Sequence, residues 1–198
     1  ITGIAPITAE VPYGTSEADA LAALPAEITL NVKDGSEVKV TAAGWSWADG
    51  VTYSGTTAGN YTAATAFTVP SGYTYSGAKT VTAAVTVKAL DMSKFDAALA
   101  AAEAKLSKFT VVNNAAEATD ASKIYVVPNG TTADKVTKDV KFVLATDEVY
   151  AALKNAIDKA KAVQTFASQA VCDSLTTELT TAAANADNLI SNPQTGTA

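Results

Sequence analysis

Hydrophobic spacing changes period once along this chain, close to Leu90, and that switch constrains the fold more than any single motif. Up to residue 89, apolar residues alternate with polar ones; beyond it they recur at steps of three and four. Two periods in two blocks predict two domains, 1–89 and 90–190, rather than one mixed sheet. The expected fold is an all-β sandwich followed by an α-helical three-helix bundle, with residues 191–198 as a disordered tail.

In the first block, Ile28, Leu30 and Val32 alternate with Thr29, Asn31 and Lys33, as a half-buried strand does. Val38, Val40 and Ala42 alternate with Lys39 and Thr41 in the next. A two-residue Asp34-Gly35 turn would set Leu30 opposite Lys39. A three-residue loop of Lys33, Asp34 and Gly35, with Gly35 left-handed, instead sets Leu30 opposite Val38 and Ile28 opposite Val40. That loop is preferred unless the two strands lie in opposite sheets. Further strands are expected at 4–11, 60–69 and 80–88. Five to seven short strands with turns between them suggest an antiparallel sandwich.

In the second block, Asp91 is the expected N-cap of a helix running to about Lys108, with the stripe Phe95, Leu99, Ala102, Leu106 and Phe109. A second helix should start after Thr146, with Asp147 and Glu148 in its first turn and the stripe Tyr150, Leu153, Ile157 and Ala160, ending near Val163. A third follows Ser168 with Cys172, Leu175, Leu179, Ala182, Ala186 and Leu189, a narrow seam rich in alanine. The connection 110–146 is long and holds the strand-like runs Ile124–Val127 and Val140–Leu144 around Pro128-Asn129-Gly130. A hairpin or short turns are expected there.

Composition narrows the chemistry. The chain has 14 lysines, no arginine and no histidine, and a net charge of −6. A chain without histidine lacks the commonest general base and metal ligand. Without arginine and with an acidic balance, binding to a nucleic-acid backbone is not expected. The carboxylates are dispersed, so no acid/base pair stands out, and no enzyme, cofactor or metal site is expected. The lone Cys172 reads as a small core residue. No window reaches the run of apolar residues that a membrane span needs. Ile1 reads as the start of a mature or trimmed piece. Asn60-Tyr61-Thr62 and Asn129-Gly130-Thr131 match the glycosylation sequon and are read as coincidence.

Several residue patterns are familiar. Leu24-Pro25 before a strand, Asp34-Gly35 at its end, Trp45 or Trp47, and Gly59-Asn60-Tyr61 give the first 89 residues the look of bacterial Ig-like surface domains. Asp91, Ser93, Phe95, Ala98, Leu99, Ala102 and Glu103, then Leu153, Ala156, Ile157, Ala160 and Val163, make the second block resemble the FIVAR modules of cell-wall-associated proteins. Asn192-Pro193-Gln194-Thr195-Gly196 resembles a sortase sorting signal of the Leu-Pro-x-Thr-Gly type, with Asn192 in place of Leu. This last resemblance implies cleavage between Thr195 and Gly196 and transfer of the Thr195 carbonyl to a cell-wall amine. It also implies a sortase transpeptidase and peptidoglycan as partners, and an extracellular, wall-anchored location in a Gram-positive bacterium.

Two functions follow from these readings. The first is a non-catalytic stalk that displays other domains; the second is an adhesin or carbohydrate-binding module that meets a glycan or host protein through exposed aromatics. For the second, Trp45 and Trp47 and the loop tyrosines Tyr73 and Tyr75 are the candidate platform. Core packing is the alternative use of the tryptophans, with a bulge at Gly44 keeping them on the core face.

Overall fold

The computed structural model describes residues 1–188 and has mixed sheets and four helices, a mixed α/β fold. Contacts divide the described residues into two compact units, 1–91 together with 167–169, and 92–166 together with 170–188.

The first unit has seven strands in two sheets. They are β1 (Gly3–Ile4), β2 (Thr8–Val11), β3 (Glu27–Asn31), β4 (Glu37–Thr41), β5 (Ser46–Trp47), β6 (Gly59–Ala66) and β7 (Thr80–Val87). One sheet has the order β1-β3-β4, the other β2-β7-β6-β5. The stretch expected as a single strand at 4–11 divides at Pro6, which has no N–H to give a ladder. Its first part joins one sheet and its second part the other. The purely antiparallel expectation fails at β2, which runs parallel to β7 with Thr8 beside Ala84 and Val11 beside Val87. A helix, α1 (Glu17–Ala22), also interrupts the strand-only reading. Ser16 caps it, its hydroxyl oxygen accepting from the Asp19 N–H at 3.2 Å.

The β3–β4 hairpin has the register that alternation predicts. Ile28 faces Val40 and Leu30 faces Val38. Gly35 takes a φ of 86°, and the Val32 N–H donates to the Ser36 carbonyl at 2.8 Å, closing the three-residue loop. The Ser36 hydroxyl and N–H donate to the Asp34 carboxylate, holding that acid below its ordinary range. The apolar sets of the two sheets form two clusters. Ile28, Leu30, Val40 and Phe67 centre one; Val11, Ala20, Leu24, Val85 and Val87 are among the buried residues of the other.

In the second unit, α2 (Ser93–Leu106), α3 (Glu148–Ala162) and α4 (Gln169–Asn185) match the three expected helices closely. Asp147 caps α3, its carboxylate accepting from the Val149 N–H at 3.0 Å, and Tyr150, Leu153, Ile157 and Ala160 are all buried. Along α4, Cys172, Leu175, Leu179 and Ala182 are buried, and Ala186 is buried in the 3₁₀ turn beyond it. Leu189 lies outside the described residues. The N-cap position of α2 is Met92, one residue after the expected Asp91. Both the N–H and the carbonyl of Asp91 are bonded to the Gln169 side-chain amide, at 2.8 and 2.9 Å.

The unit is not helical throughout. Phe109 leaves the helical stripe for β8 (Phe109–Val111), which with β9 (Ile124–Val127) and β10 (Lys141–Leu144) forms a sheet of order β10-β9-β8. Both pairings are parallel, with Phe109, Ile124 and Lys141 aligned, so the expected hairpin does not form. The physical reason is burial on both faces. Val126 and Val143 pack with Tyr150, whereas Tyr125, Val127 and Phe142 pack with Ala115, Val136 and Val140 from the connecting segments. A strand covered on both sides carries unbroken apolar runs, as Ile124–Val127 and Phe142–Leu144 do, and parallel pairing is the usual home of such runs.

Candidate functional site

The candidate aromatic residues all lie in the first unit, but the tryptophans pack with one apolar cluster and Tyr75 with the other. Trp45 and Trp47 are half-buried against the Val85 cluster. Their local geometry follows from a crossing rather than a bulge. Gly44, with a φ of 129°, stands where the chain passes from β4 in one sheet to β5 in the other. The Thr65 hydroxyl, on a residue only 4% exposed, donates to the Gly44 carbonyl at 2.9 Å and fixes this crossing. The Trp45 indole N–H donates to the Pro25 carbonyl at 2.8 Å.

Trp47 is the hub of an aromatic trio. Its ring stacks on Tyr53 with centroids 4.6 Å apart and planes within 10°, and meets Tyr61 edge-on at 6.3 Å. Tyr53 and Tyr61 meet edge-on at 5.0 Å. Stacked and edge-to-face pairs of this kind add specificity to the area they bury. The phenols are tied back to the main chain: Tyr53 donates to the Thr15 carbonyl and Tyr61 to the Thr57 carbonyl, each at 2.9 Å. Burial, then the neighbouring Tyr61 and Glu17, push the Tyr53 phenol above its ordinary range. Residue spacing singled out Trp47 but neither tyrosine. Tyr61 shares the inward parity of Ala63 and Thr65 on β6, a signal present in the sequence. Tyr53 lies outside regular structure, where no period marks it.

The loop tyrosines part company. Tyr73 is 39% exposed. Tyr75 turns inward, its ring 6.1 Å from Phe67, with Gly77 beneath it so closely that a Cβ there would lie 2.4 Å from the ring. Of the four candidates, Tyr73 alone is exposed, and the other three are half-buried.

A cleft of about 620 Å³ lies beside the β1–β2 crossing, lined by residues that include Pro6, Ile7, Pro25, Glu27, Thr29 and Lys39. Its wall carries the exposed Glu27–Lys39 pair at 3.8 Å. In the second unit, a groove of about 440 Å³ runs between α3 and α4, lined by Ala152, Asn155, Ala156, Thr177, Thr181 and Ala182, with the Lys159–Glu178 pair at 2.8 Å. Among the described residues, no group of three or more acidic, Cys or His side chains is placed to hold a metal ion. No helix among them is long and apolar enough to cross a membrane. The sorting-type residues Asn192, Pro193, Gln194, Thr195 and Gly196 lie outside the described residues. No family model, curated protein or solved structure matches the chain.

Proposed function

We propose that the chain is a non-catalytic, load-bearing spacer of a sortase-anchored cell-wall protein, holding other domains away from the bacterial surface. On this reading the first unit is an Ig-like sandwich modified by a helix and a parallel edge strand. The second is a FIVAR-like module whose first and second helices are separated by an inserted parallel sheet. Ion pairs link its helices: Lys161 with Glu103 at 2.6 Å, Lys159 with Glu178 at 2.8 Å, and Lys105 with Asp187.

The observation that carries the proposal is the β2–β7 ladder. These strands stand near the two ends of residues 1–91, and they run parallel. Tension entering before Thr8 and leaving after Val87 pulls them along their length in opposite directions. Every hydrogen bond between them is then loaded together instead of opening one after another. The ladder extends past the paired residues, from the Ala84 N–H on the Ile7 carbonyl to the Lys88 N–H on the Val11 carbonyl. Lys88 and Glu10 add an ion pair at 3.0 Å across it. The use of Trp45, Trp47 and Tyr75 as packing residues fits a spacer better than a glycan platform.

Anchoring is assigned to Asn192–Gly196, as the sorting-signal resemblance implies. A sortase thiolate attacks the Thr195 carbonyl carbon, and the Thr195–Gly196 bond breaks with a proton passing to the departing Gly196 amine. A peptidoglycan amine then displaces the thiol from the thioester. The partners are a sortase and peptidoglycan, and the location is the outer face of the cell wall.

Force spectroscopy on the full chain, held through end-attached handles, tests the load-bearing claim. Alternation along a parallel ladder turns the Ala9 N–H toward β7. Ala9→Pro should lower the rupture force of the first unit well below that of the unaltered chain; equal forces would sink the claim. Incubation with a sortase and triglycine tests the anchor. Exchange of the three C-terminal residues for triglycine is expected, and its loss in Thr195→Ala. No exchange with sortases of several signal classes would refute the anchor.

A further inference from the structure

The parallel sheet of the second unit is joined by a side chain as well as by main-chain bonds. Beyond the last β9–β10 pair, Val127 with Leu144, the Ala145 N–H still donates to the Val127 carbonyl at 3.0 Å, and Asn129 and Thr146 follow two residues past the end of each strand. Asn129 Oδ1 accepts from the Thr146 N–H at 3.0 Å and from the Thr146 hydroxyl at 2.9 Å. Thr146 immediately precedes Asp147, the N-cap of α3, so the Asn129 carboxamide ties the β9 turn to the start of that helix.

Gly130 follows Asn129, and this is the single Asn-Gly pair in the sequence. The turn is closed by the Thr131 N–H on the Pro128 carbonyl at 3.2 Å, and Gly130 has a φ of 80°. Asn-Gly is the dipeptide in which the main chain most readily attacks its own side chain, because no Cβ shields the glycine nitrogen. That nitrogen, giving up its proton, bonds to the asparagine Cγ, and ammonia leaves to form a succinimide. Water then opens the ring. Attack at Cγ gives aspartate; attack at the main-chain carbonyl carbon gives isoaspartate, with the chain rerouted through Cβ and Cγ. Asn129 and Thr146 are both exposed, so water is at hand. Ring closure requires the carboxamide to swing onto the Gly130 nitrogen, and the two bonds from Thr146 oppose that swing.

We propose that Asn129 is a deamidation site whose rate is governed by its bonds to Thr146. The aspartate product keeps an oxygen able to accept both Thr146 donors. The isoaspartate product has an extra methylene in its main chain and does not hold the clasp, so the start of α3 loosens. The fold thereby makes Asn129 a slow, irreversible register of how often this corner has opened. This inference stands apart from the spacer reading and survives its failure.

The test is to age the full-length protein in warm, mildly alkaline buffer, folded and in urea, and to follow the amide-to-acid mass gain in the peptide containing Asn129. Isoaspartate is counted by methyltransferase labelling. The folded chain should react about tenfold more slowly than the chain in urea, the scale set by hydrogen bonds that must break before reaction. Thr146→Val, which removes the hydroxyl donor, should react severalfold faster than the unaltered protein when folded and at the same rate in urea. Thr146→Ser, which retains the hydroxyl, should match the unaltered protein in both. If Thr146→Val fails to fold, the ratio of folded to urea rates in the unaltered and Thr146→Ser chains still decides. Equal rates in the folded and urea samples, a Thr146→Val rate no faster than the unaltered chain, or no mass gain at Asn129 in either state would overturn the proposal.

Discussion

The two units use strands differently. In the first unit, β3, β4 and β7 alternate inward and outward, so side-chain parity carries both the strand and its partner. In the second, β9 and β10 bury neighbouring residues on opposite faces: Tyr125, Val126 and Val127 are all under 5% exposed. Alternation encodes a face only where one side of the sheet meets water. Where both sides are covered, the pattern disappears although the strand remains. Strand order there is set by tertiary packing that no local window contains.

The largest test of this contrast is removal of a core anchor from each unit. Leu30 and Leu153 are both fully buried. Leu30→Ala and Leu153→Ala should each cost about 2–5 kcal/mol, the range for a buried leucine replaced by alanine. Both tryptophans lie in the first unit, and three of the four helices begin after residue 92. Tryptophan fluorescence therefore follows the first unit, and far-ultraviolet dichroism is dominated by the second. Leu30→Ala should move the urea midpoint of the fluorescence transition, and Leu153→Ala that of the dichroism transition. Stability unchanged in either variant would contradict the core assigned to that unit.

A finer test compares neighbours. Val126→Ala and Val127→Ala should both destabilise, by about 1.5–3 kcal/mol each, because each deletes buried methyl groups on a different face. On β7 two residues of opposite parity should split: Val85→Ala should cost a similar amount, while Thr82→Ala on the exposed face should stay within about 0.5 kcal/mol. Urea unfolding of the four variants reads this directly. A neutral Val126→Ala or Val127→Ala would mean that β9 is covered on one face only.

The same physics explains what could be read in advance. Helices α3 and α4 were legible because their stripes are long and their ends are marked, as by Asp147. The β3–β4 register was legible because only a three-residue loop keeps Ile28, Leu30, Val38 and Val40 on one face. The switch of sheets at Pro6 and at Gly44 was not, since a break in a strand does not say where the chain goes next. Helix α1 escaped because six residues are too few for a period, although Ser16 and Asp19 marked its start. Among the aromatics, sequence left core packing and ligand platform both open for Trp45 and Trp47; the structure gives them a packing role. It separates Tyr73 from Tyr75 because the chain beyond Tyr75 leaves room, at Gly77, for that ring to fold inward.

The smallest expected effect tests whether the Trp47 trio belongs to the core. Burial raises the Tyr53 phenol above its ordinary range, so the neutral form is favoured in the folded state. Unfolded chains ionise first as pH rises past the ordinary tyrosine value of about 10. Above that point the folded state binds more protons than the unfolded one, and stability falls with pH until Tyr53 ionises in the folded state as well. The stabilisation is fully present below the unfolded value and is lost across that alkaline window. Urea midpoints of the first unit, read by tryptophan fluorescence, should therefore decline in alkali in the unaltered protein. The decline should be shallower in Tyr53→Phe, which keeps the ring stacked on Trp47 but has no phenol to ionise. Parallel curves for the two proteins would show that Tyr53 titrates alike in both states, and the trio would then be an open surface instead of an extension of the Val85 cluster.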